Sequence, residues 1–383
     1  MRIALFSEVY WPMVSGVAVT LGRLHDALVA RGHAVRVYTA TYPLPGDAGD
    51  RPEVFRCPSR ALFVAPEVQW AFPRRREIID DLAAFRPDVV HLATEFAMGF
   101  AGLRAAQAVG APIVASAHTD YERYASRYGL SLLVAPGWHY LRWFYDHAAC
   151  VLAPTRLYEA HLRSRGVRRT GIWSRGVDAA HFSPAHRSAA FRDACGAGPD
   201  DVLVSYVGRL APEKGIPVLL DAWERLGARR AGAKLVFVGD GLLEPEIRRR
   251  DLPGVHLAGV LRGRPLAEAY ASADVFAFPS TTETFGNVVL EAMASGLTTV
   301  VPSVGGQVEF AEDGVNALHV APDDPAALAE TLARTIADRA LRERLGAAAR
   351  ATALARDWDS IFDGLCETYA AAAGAEADQA VAA

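Results

Sequence analysis

Short apolar runs alternate with amphipathic stretches along the chain, and this alternation occurs twice. The first series contains RIALFSE, AVRVYTA, DVVHLAT, PIVASAHT and CVLAPT, with helices predicted over 17–31 and 156–165. The second contains VLVSYVGRL, KLVFVGDG, VHLAGV, DVFAFPS and TTVVPS, with helical sequences such as GIPVLLDAWERL between them. Apolar strands that alternate with helices are typical of a parallel sheet covered on both faces. The pattern therefore predicts an α/β protein with two doubly wound domains.

The periodic pattern lapses over VDAAHFSPAHR (177–187), which is the predicted linker. We expect a first domain over 1–183, a second over 184–352, and then a terminal helix over 353–372 with a frayed end. Ligands of doubly wound sheets bind outside the carboxyl ends of the strands. Two such domains in tandem predict a cleft, and the loops that follow the strands are where binding and catalytic residues are expected.

Length and charge support this organisation and exclude some functions. A chain of 383 residues exceeds what one hydrophobic core usually organises, which favours two domains. The formal net charge of −4 argues against general nucleic-acid binding. Residues 1–183 carry 21 arginines, no lysine and 16 acidic residues, for a net charge of +5, whereas residues 184–383 have a net charge of −9. The basic first half is interpreted either as a surface for an anionic membrane or as ordinary variation between domains.

The cysteines and the N-terminus indicate the compartment. The four cysteines show no paired metal-ligand spacing, which predicts a reduced, cytoplasmic protein. The N-terminal sequence MRIALFSEVY is too short and too polar for a signal peptide and is interpreted as the first strand. The sequence has no run of 18 apolar residues that would predict a spanning helix.

Two cations follow a predicted strand in the loop VGRLAPEKGIP (207–217). Arg209 and Lys214 lie five residues apart, with Gly208 and Gly215 beside them. An arginine binds phosphate oxygens in bidentate fashion and a lysine acts as a point charge, so the pair suits a diphosphate. The alternative is a pair of solvated surface cations.

Two glutamates flank the predicted start of a helix in PSTTETFGNVVLEAMASG (279–296). The helix is predicted to begin near Gly286–Asn287, which places Glu283 before it and Glu291 on its second turn. Backbone N–H groups of residues 286–288 would favour an anion between the two carboxylates. Carboxylates accept hydrogen bonds from hydroxyls, so the pattern fits a nucleotide sugar. The alternative is that Glu283 caps the helix and Glu291 is solvated.

Two further loops in the first domain hold single candidates. Gly16 is predicted just before the first helix, where a glycine lets backbone N–H groups approach a phosphate. His118 follows the strand PIVASAHT. Each residue alone is also consistent with a structural role, as a turn glycine and a core histidine.

The four loops together resemble retaining glycosyltransferases of the GT-B fold, in the large family that includes bacterial mannosyl-, glucosyl- and sulfoquinovosyltransferases. The matching sequences are GRLAPEKG, VGDG, ADVFAFPS and ETFGNVVLEAMASG, whose two glutamates are separated by seven residues. The resemblance covers nearly the whole chain. The sequences HTDYERYASRYGL, APTRLYEAHLRSRG and RGVDAAHFSP are similar to lipid-directed members that use GDP-mannose or UDP-activated hexoses, including sulfolipid and glycosyl-diacylglycerol synthases.

The resemblance implies a role for each candidate residue. Arg209 and Lys214 would hold the diphosphate, Glu283 would bind hydroxyls of the donor sugar, and His118 would lie beside that sugar; these four are the predicted catalytic residues. The other implied donor contacts are backbone groups of Phe285 and Gly286 to the sugar, amides of Asn287 and Val288 to the phosphate, the Glu291 carboxylate to the ribose, Gly16 to the phosphate, and the segment LAGVLRG with Val260 to the base. The terminal helix would cross back onto the first domain.

The same resemblance implies a reaction that needs no metal and no cofactor besides the nucleotide sugar. Arg209, Lys214 and the helix N-terminus would stabilise the charge that grows on the departing diphosphate. The sequence DWD (357–359) matches the metal-binding D-x-D signature, but it opens the terminal helix, where capping and solvation explain it. Because Glu283 is predicted to meet ring hydroxyls, we expect same-face substitution in which the leaving phosphate oxygen takes the acceptor proton, rather than a covalent intermediate.

Two segments of the basic domain are rich in aromatic residues and arginine. PEVQWAFPRRREIIDDLAAF (66–85) contains Trp70, Phe72 and Arg74–Arg76, and APGWHYLRWFYDHAA (135–149) contains Trp138, Trp143 and Tyr145. They are interpreted either as a surface for anionic lipid, which would make the protein peripheral on the inner membrane face, or as core aromatics beside solvated arginines.

Two other functions are consistent with the same residues. A nucleotide-sugar epimerase would also bind the donor but would need no acceptor site. A non-enzymatic nucleotide-sugar sensor would bind without turnover, although it would not need Arg209, Lys214, Glu283 and Glu291 together. A dehydrogenase is disfavoured because the chain has no G-x-G-x-x-G sequence.

Overall fold

The computed structural model describes residues 1–13, 15–43, 51–62, 65–127 and 129–381. Its contacts divide the chain into two compact units. Unit 1 comprises Met1–Ala125, Leu130–Ser174 and the chain from Asp359 onward. Unit 2 comprises Ser126–Gly129 and Arg175–Trp358.

Unit 1 is built on a seven-stranded parallel sheet. The strands of unit 1, inside and outside this sheet, are β1 (Arg2–Ser7), β2 (Ala34–Ala40), β3 (Val54–Cys57), β4 (Ser59–Leu62), β5 (Ala65–Ala71), β6 (Val89–Leu92), β7 (Ile113–Ser116), β8 (Cys150–Ala153) and β9 (Thr170–Ile172). The order in the sheet is β3-β2-β1-β6-β7-β8-β9, and β4 and β5 form a separate antiparallel pair. The strand order turns between β1 and β6, which is where ligands of doubly wound sheets bind.

Unit 2 is built on a six-stranded parallel sheet. Its strands are β10 (Val202–Val207), β11 (Ala233–Val238), β12 (Val255–Gly259), β13 (Val275–Ala277), β14 (Thr298–Pro302) and β15 (Ala317–Val320). The order is β12-β11-β10-β13-β14-β15, and every residue of β10 and β14 is buried. The strand order turns between β10 and β13.

The helices connect the strands in both units. Unit 1 holds α1 (Gly16–Ala30), α2 (Arg75–Phe85), α3 (Ala97–Val109), α4 (Tyr121–Arg127), α5 (Val134–Tyr145) and α6 (Arg156–Ser164). Unit 2 holds α7 (Ala189–Ala194), α8 (Ile216–Leu226), α9 (Glu244–Arg250), α10 (Arg264–Ser272), α11 (Asn287–Ala294), α12 (Pro325–Ala337) and α13 (Arg339–Leu354). The last helix is α14 (Trp358–Val381). The predicted α/β class with two parallel-sheet units is confirmed.

Unit 2 already begins at Arg175, whereas the sequence pattern placed the domain start at residue 184. The reason is that the irregular segment after Arg175 is apolar enough to be buried. Val177 and Phe182 are 9% and 6% exposed and belong to the core of unit 2. A segment without helical or strand periodicity can still contribute to a core, and the pattern alone does not reveal this.

The predicted terminal helix over 353–372 is wrong at both ends. Residues 353 and 354 belong to α13, which ends at Leu354, and α14 begins only at Trp358. The backbone carbonyl of Arg356 accepts a hydrogen bond from Val177 N–H at 3.2 Å, so the chain turns here instead of continuing one helix. The end predicted to be frayed is helical as far as Val381.

Candidate functional site

The candidate residues of unit 2 lie in loops at the carboxyl edge of its parallel sheet. Arg209 and Lys214 follow β10, and Glu283 follows β13. These are the two neighbouring strands between which the strand order turns. Parallel sheets bind ligands at this position, so the topology brings the two predicted cations and the first glutamate to one place.

Lys214 and Glu283 form an ion pair at this edge. The Lys214 Nζ atom lies 2.6 Å from Glu283 Oε1, and the Ser280 hydroxyl donates to the same oxygen at 2.8 Å. The two side chains are only 17% and 16% exposed. Burial by itself would raise the pKa of Glu283, but the charge and hydrogen bond of Lys214, the Ser280 hydroxyl and the charge of Arg209 offset it and hold the pKa below its usual range. Glu283 is therefore an ionised hydrogen-bond acceptor at neutral pH.

Arg209 is oriented by a buried carboxylate. Its Nη2 atom lies 2.6 Å from Oε1 of Glu213, which is fully buried while the arginine side chain remains 43% exposed. The backbone carbonyl of Glu213 accepts hydrogen bonds from the hydroxyls of Ser280 and Thr282 at 3.4 and 3.3 Å. Glu213 thus links the loop after β10 to the loop after β13. The sequence analysis did not identify it, because a glutamate between proline and lysine is usually solvated.

Helix α11 begins where the sequence predicted, at Asn287 with Gly286 as its cap. Among the described residues no side chain caps this end, and Gly286 has a φ of +97°, which glycine adopts without strain. The first N–H groups of a helix have no partner within it, so those of Asn287 and Val288 are directed to the same loop edge as Glu283. Phe285 is buried and stacks on Phe310, with ring centroids 4.9 Å apart.

Glu291 lies on the second turn of α11 and is held by a tyrosine. The hydroxyl of Tyr270, on α10, donates to Glu291 Oε2 at 2.9 Å. The carboxylate is thereby fixed about one and a half turns along the helix from the loop that carries Glu283. Tyr270 was not identified from the sequence, because its partner Glu291 lies 21 residues away on another helix.

Two glycines allow other loops to approach the loop after β13 closely. A Cβ atom on Gly306 would lie 2.0 Å from the carbonyl oxygen of Thr284, and one on Gly215 would lie 2.6 Å from that of Pro279. Gly215 also has a φ of +73°. The loop that carries Glu283 is therefore enclosed by backbone on two sides. Val260 follows β12 at the same sheet edge and is exposed.

The other two predicted residues belong to unit 1. Gly16 is the first residue of α1 rather than the residue before it, because Ser15 is the cap and accepts a hydrogen bond from Ala18 N at 3.2 Å. His118 lies just beyond the end of β7 and is half-buried. Its Nε2 atom lies 2.8 Å from the hydroxyl of Ser116, and its ring makes an edge contact with Trp173, with centroids 5.5 Å apart.

A buried carboxyl cluster lies at the strand-order turn of unit 1. Glu95 follows β6, is 2% exposed, and accepts hydrogen bonds from the hydroxyls of Tyr121 and Tyr145 at 2.7 and 2.6 Å. Glu8 follows β1, is also buried, and accepts from Thr94. Burial raises the pKa of both carboxyl groups, that of Glu95 to about 7. The sequence analysis did not identify this cluster. Nothing in the sequence around Glu8 (SEV, 7–9) or around Glu95 (TEF, 94–96) distinguishes a buried acid from a solvated one.

The two aromatic segments of unit 1 are partly core and partly surface. Trp138 and Tyr145 are buried, which corrects their predicted place at a lipid surface; both lie on the inner face of α5. Four exposed aromatic residues form a row from β5 to α5, and Phe72, two residues after Trp70, is exposed as well. Ring contacts join Trp70 to Phe96 at 6.3 Å and Phe100 to Trp143 at 6.2 Å, and Phe96 and Phe100 are one turn apart. We call these four residues the aromatic row. The side chains of residues 66–68 lie outside the described ones.

Within the described segments, no three His, Cys, Asp or Glu side chains are grouped as metal ligands would be. In the sequence DWD, Asp359 is exposed and pairs with Arg31, whose Nη2 atom lies 3.1 Å from Oδ1.

The chain is similar to known proteins over nearly its whole length. Two family models match it: "Glycosyltransferase Family 4" over residues 14–181 and "Glycosyl transferases group 1" over residues 201–338. A GDP-mannose-dependent alpha-mannosyltransferase of Mycolicibacterium smegmatis is 36% identical over 382 residues, which cover 98% of each chain. A sulfoquinovosyl transferase of Arabidopsis thaliana is 34% identical over 290 residues, which cover 73% of this chain and 56% of that protein. Among solved structures, a sucrose-phosphate synthase from Thermosynechococcus elongatus superposes with a TM-score of 0.80 at 23% identity, covering 98% of this chain and 99% of that one.

Proposed function

The chain belongs to the group 1 glycosyltransferase family, and we propose that it transfers a hexose, with retention of configuration, from GDP-mannose or a UDP-hexose to a lipid or glycolipid acceptor. The observation that carries this proposal is the pairing of Lys214 with Glu283 at the turn of the strand order, beside Arg209 and the N-terminus of α11. This arrangement offers cations and backbone N–H groups to a diphosphate and a carboxylate to the hydroxyls of a sugar.

GDP-mannose is the donor that we propose first. A relative that is 36% identical over 98% of this chain is named as a GDP-mannose-dependent alpha-mannosyltransferase. The exposed residue at the end of β12, Val260, would face the base through backbone groups. A UDP-hexose is the second donor that we propose to test.

The chain's own cations would perform the electrostatic part of the reaction. Lys214 and Arg209 are each held by a carboxylate before the donor binds, so little reorganisation is needed when charge develops on the leaving diphosphate. Glu283 is ionised and hydrogen-bonded by Lys214 and Ser280, which suits the binding of ring hydroxyls rather than attack on the anomeric carbon. We propose that the leaving phosphate oxygen accepts the proton of the acceptor hydroxyl on the same face of the sugar, and that neither a metal nor a cofactor takes part.

A donor panel tests this function. GDP-mannose, UDP-glucose, UDP-galactose and UDP-sulfoquinovose are each measured for binding and for turnover with diacylglycerol or a glycolipid acceptor, with and without EDTA. We expect transfer from one donor with retention and with a rate that EDTA does not change. Formation of an epimeric nucleotide sugar without acceptor would show an epimerase, and binding without turnover would show a sensor; either result would overturn the proposal.

Replacing Glu291 with alanine is expected to weaken donor binding roughly 10- to 100-fold. The reason is that a hydrogen bond to a charged group contributes about 1.5–3 kcal/mol, and in the proposed complex Glu291 accepts from the ribose hydroxyls. Calorimetric titration with GDP and with GDP-mannose measures the change. Glu330→Ala, which removes an exposed carboxylate of α12, is the matched control and is expected to bind like the wild type. Unchanged affinity in Glu291→Ala would show that the ribose assignment is wrong.

We also propose that unit 1 contacts an anionic membrane surface from the cytoplasmic side. No helix within the described residues is both long and apolar enough to cross a bilayer. The aromatic row supports a peripheral contact, because its four side chains are each 38–43% exposed and they connect the two segments that the sequence singled out. Arg74–Arg76, at the start of α2, are exposed and supply positive charge.

Co-sedimentation with vesicles tests this surface. We expect binding to vesicles that contain phosphatidylglycerol and little binding to phosphatidylcholine alone. Phe100→Ser is expected to reduce the bound fraction several-fold, since burying one aromatic side chain contributes about 1.5–3 kcal/mol. Leu354→Ser removes an exposed apolar side chain from unit 2 and serves as the control. Equal sedimentation with both lipids, or an equal loss in both variants, would contradict the proposal.

A further inference from the structure

A chain of four hydrogen-bonding side chains runs through the core of unit 1 and ends at His118. Tyr369 on α14 contacts His91 on β6, with 2.6 Å between its hydroxyl oxygen and Nδ1. The Nε2 atom of His91 lies 2.9 Å from the hydroxyl of Ser116, on the neighbouring strand β7. That hydroxyl in turn lies 2.8 Å from Nε2 of His118. The first three residues are at most 1% exposed, and only His118 reaches a partly open position.

The direction of the protons along this chain follows from its buried end. His91 is the only hydrogen-bonding partner of the Tyr369 hydroxyl among the described residues. A buried hydroxyl donates its proton when an acceptor is present, so Tyr369 O–H donates to His91 Nδ1. Burial also keeps this hydroxyl neutral, because it raises the pKa of Tyr369 well above its usual value.

Each following link is then determined by the one before. His91 Nδ1 accepts, so a neutral His91 carries its proton on Nε2 and donates to Ser116 Oγ. The Ser116 hydroxyl has one proton, which it donates to Nε2 of His118. Its two partners in the described chain are these two histidines. His118 therefore accepts at Nε2 and, when neutral, carries its proton on Nδ1.

An aromatic side chain also holds the two rings in place. Trp173 makes edge contacts with both imidazoles, at centroid distances of 5.4 Å to His91 and 5.5 Å to His118. The reverse direction of the chain would leave the proton of Tyr369 without an acceptor in the core. Geometry and hydrogen-bond satisfaction thus select one tautomer and one ring orientation.

We propose that Tyr369 is a positioning residue which, through His91 and Ser116, fixes His118 as the tautomer protonated at Nδ1 and so orients the ring of this predicted catalytic residue. This inference rests on the proposed function, with His118 among the catalytic residues that the resemblance to retaining glycosyltransferases implies. It assigns a role in the reaction to a helix that sequence analysis regarded only as packing. Tyr369 itself touches no reacting atom.

Nitrogen chemical shifts of the histidine rings test the chain directly. In two-bond ¹H–¹⁵N spectra of the full-length protein without donor, His118 is assigned by its loss in His118→Gln, and its tautomer is read from the two ring nitrogens. We expect Nδ1–H in the wild type and a mixture of tautomers in Tyr369→Phe and in Ser116→Ala. Tyr38→Phe removes a hydroxyl that is equally buried but bonds to Asp81, and it is expected to leave His118 unchanged.

Kinetics provide the second readout. Tyr369→Phe and Ser116→Ala are each expected to lower kcat roughly 5- to 30-fold with little change in donor KM, the effect of one misdirected hydrogen bond. The double variant is expected to be no slower than the slower single variant, because both changes break the same chain. Additive losses, or a kcat in Tyr369→Phe equal to that of Tyr38→Phe, would overturn the inference.

The two readouts separate this inference from the proposed function. The tautomer is measured without donor, so an Nε2–H tautomer of His118 in the wild type would overturn the hydrogen-bond chain even if hexosyl transfer is observed. An Nδ1–H tautomer that Tyr369→Phe abolishes, in a protein that transfers no hexose from any donor, would support the chain and overturn the proposed function.

Discussion

Lys214→Ala is expected to lower kcat roughly 100- to 1,000-fold while the donor KM changes much less, as is found when one preorganised group that stabilises transition-state charge is removed. The physical reason is that the charge on the leaving diphosphate grows as the glycosidic bond breaks. Lys214 is held 2.6 Å from Glu283 and is largely buried, so its charge acts in a poorly solvated place. Steady-state kinetics with the donor found in the panel measure the effect, and circular dichroism checks the fold.

Arginine is not expected to replace this lysine. The chain contains 38 arginines and only two lysines, Lys214 and Lys234, so a cation that could be arginine is nearly always arginine here. A planar guanidinium is bulkier than an ammonium group and cannot occupy the same point between Glu283 and a phosphate. We expect Lys214→Arg to recover less than a tenth of wild-type kcat, whereas Lys234→Arg, on β11, behaves like the wild type. Normal turnover in either Lys214 variant would show that the assignment is wrong.

Glu95→Gln is expected to remove a component of stability that depends on pH. The pKa of Glu95 is raised from 4.5 to about 7 by burial, so the folded protein binds this proton more tightly than the unfolded chain. The stability that the proton confers is complete below pH 4.5 and is lost as the pH rises through 7. The shift corresponds to a change on the order of 3 kcal/mol. Glutamine is neutral throughout and lacks this dependence.

A double comparison isolates this effect from other titrating groups. Urea unfolding of the wild type and Glu95→Gln at pH 5 and pH 8 gives two stability differences. The free energy of unfolding of the variant, relative to that of the wild type, should rise by about 2.5 kcal/mol from pH 5 to pH 8. Glu77→Gln, which changes an exposed carboxylate of α2, should show no such gain. A gain of the opposite sign, or none, would mean that Glu95 is ionised in the folded protein at pH 5.

Much of the architecture could be predicted because it depends on short-range patterns. Continuous apolar runs mark strands that are buried on both sides, and β10 and β14 are fully buried as this pattern requires. The start of α11 was predicted at the correct residue, because a glycine and an asparagine before an apolar helical run leave few other positions. The loops after β10 and β13 were expected to share a sheet edge, and the contact between Lys214 and Glu283 confirms that they meet.

The residues that escaped prediction act through contacts distant in sequence. Glu95 and Tyr369 are buried polar side chains whose partners lie on other elements, and the backbone carbonyl of Glu213 accepts hydrogen bonds from the loop after β13. No local pattern therefore distinguishes these residues from solvated ones. The aromatic row was missed for the same reason, since Phe96 and Phe100 connect two segments that lie far apart in the chain. The early start of unit 2 and the break before α14 both involve Val177. Its backbone N–H donates a hydrogen bond to the carbonyl of Arg356, which lies near the other end of unit 2 in the sequence.

The return of the chain to unit 1 has a consequence for synthesis on the ribosome. Every residue of unit 2 is translated before Asp359, the residue at which the chain re-enters unit 1. His91 is made 278 residues before Tyr369, the buried partner of its Nδ1 atom. Domains generally fold as units during translation. The unit that is started first is therefore completed last, and in the nascent chain His118 gains its full set of supporting hydrogen bonds only when α14 emerges.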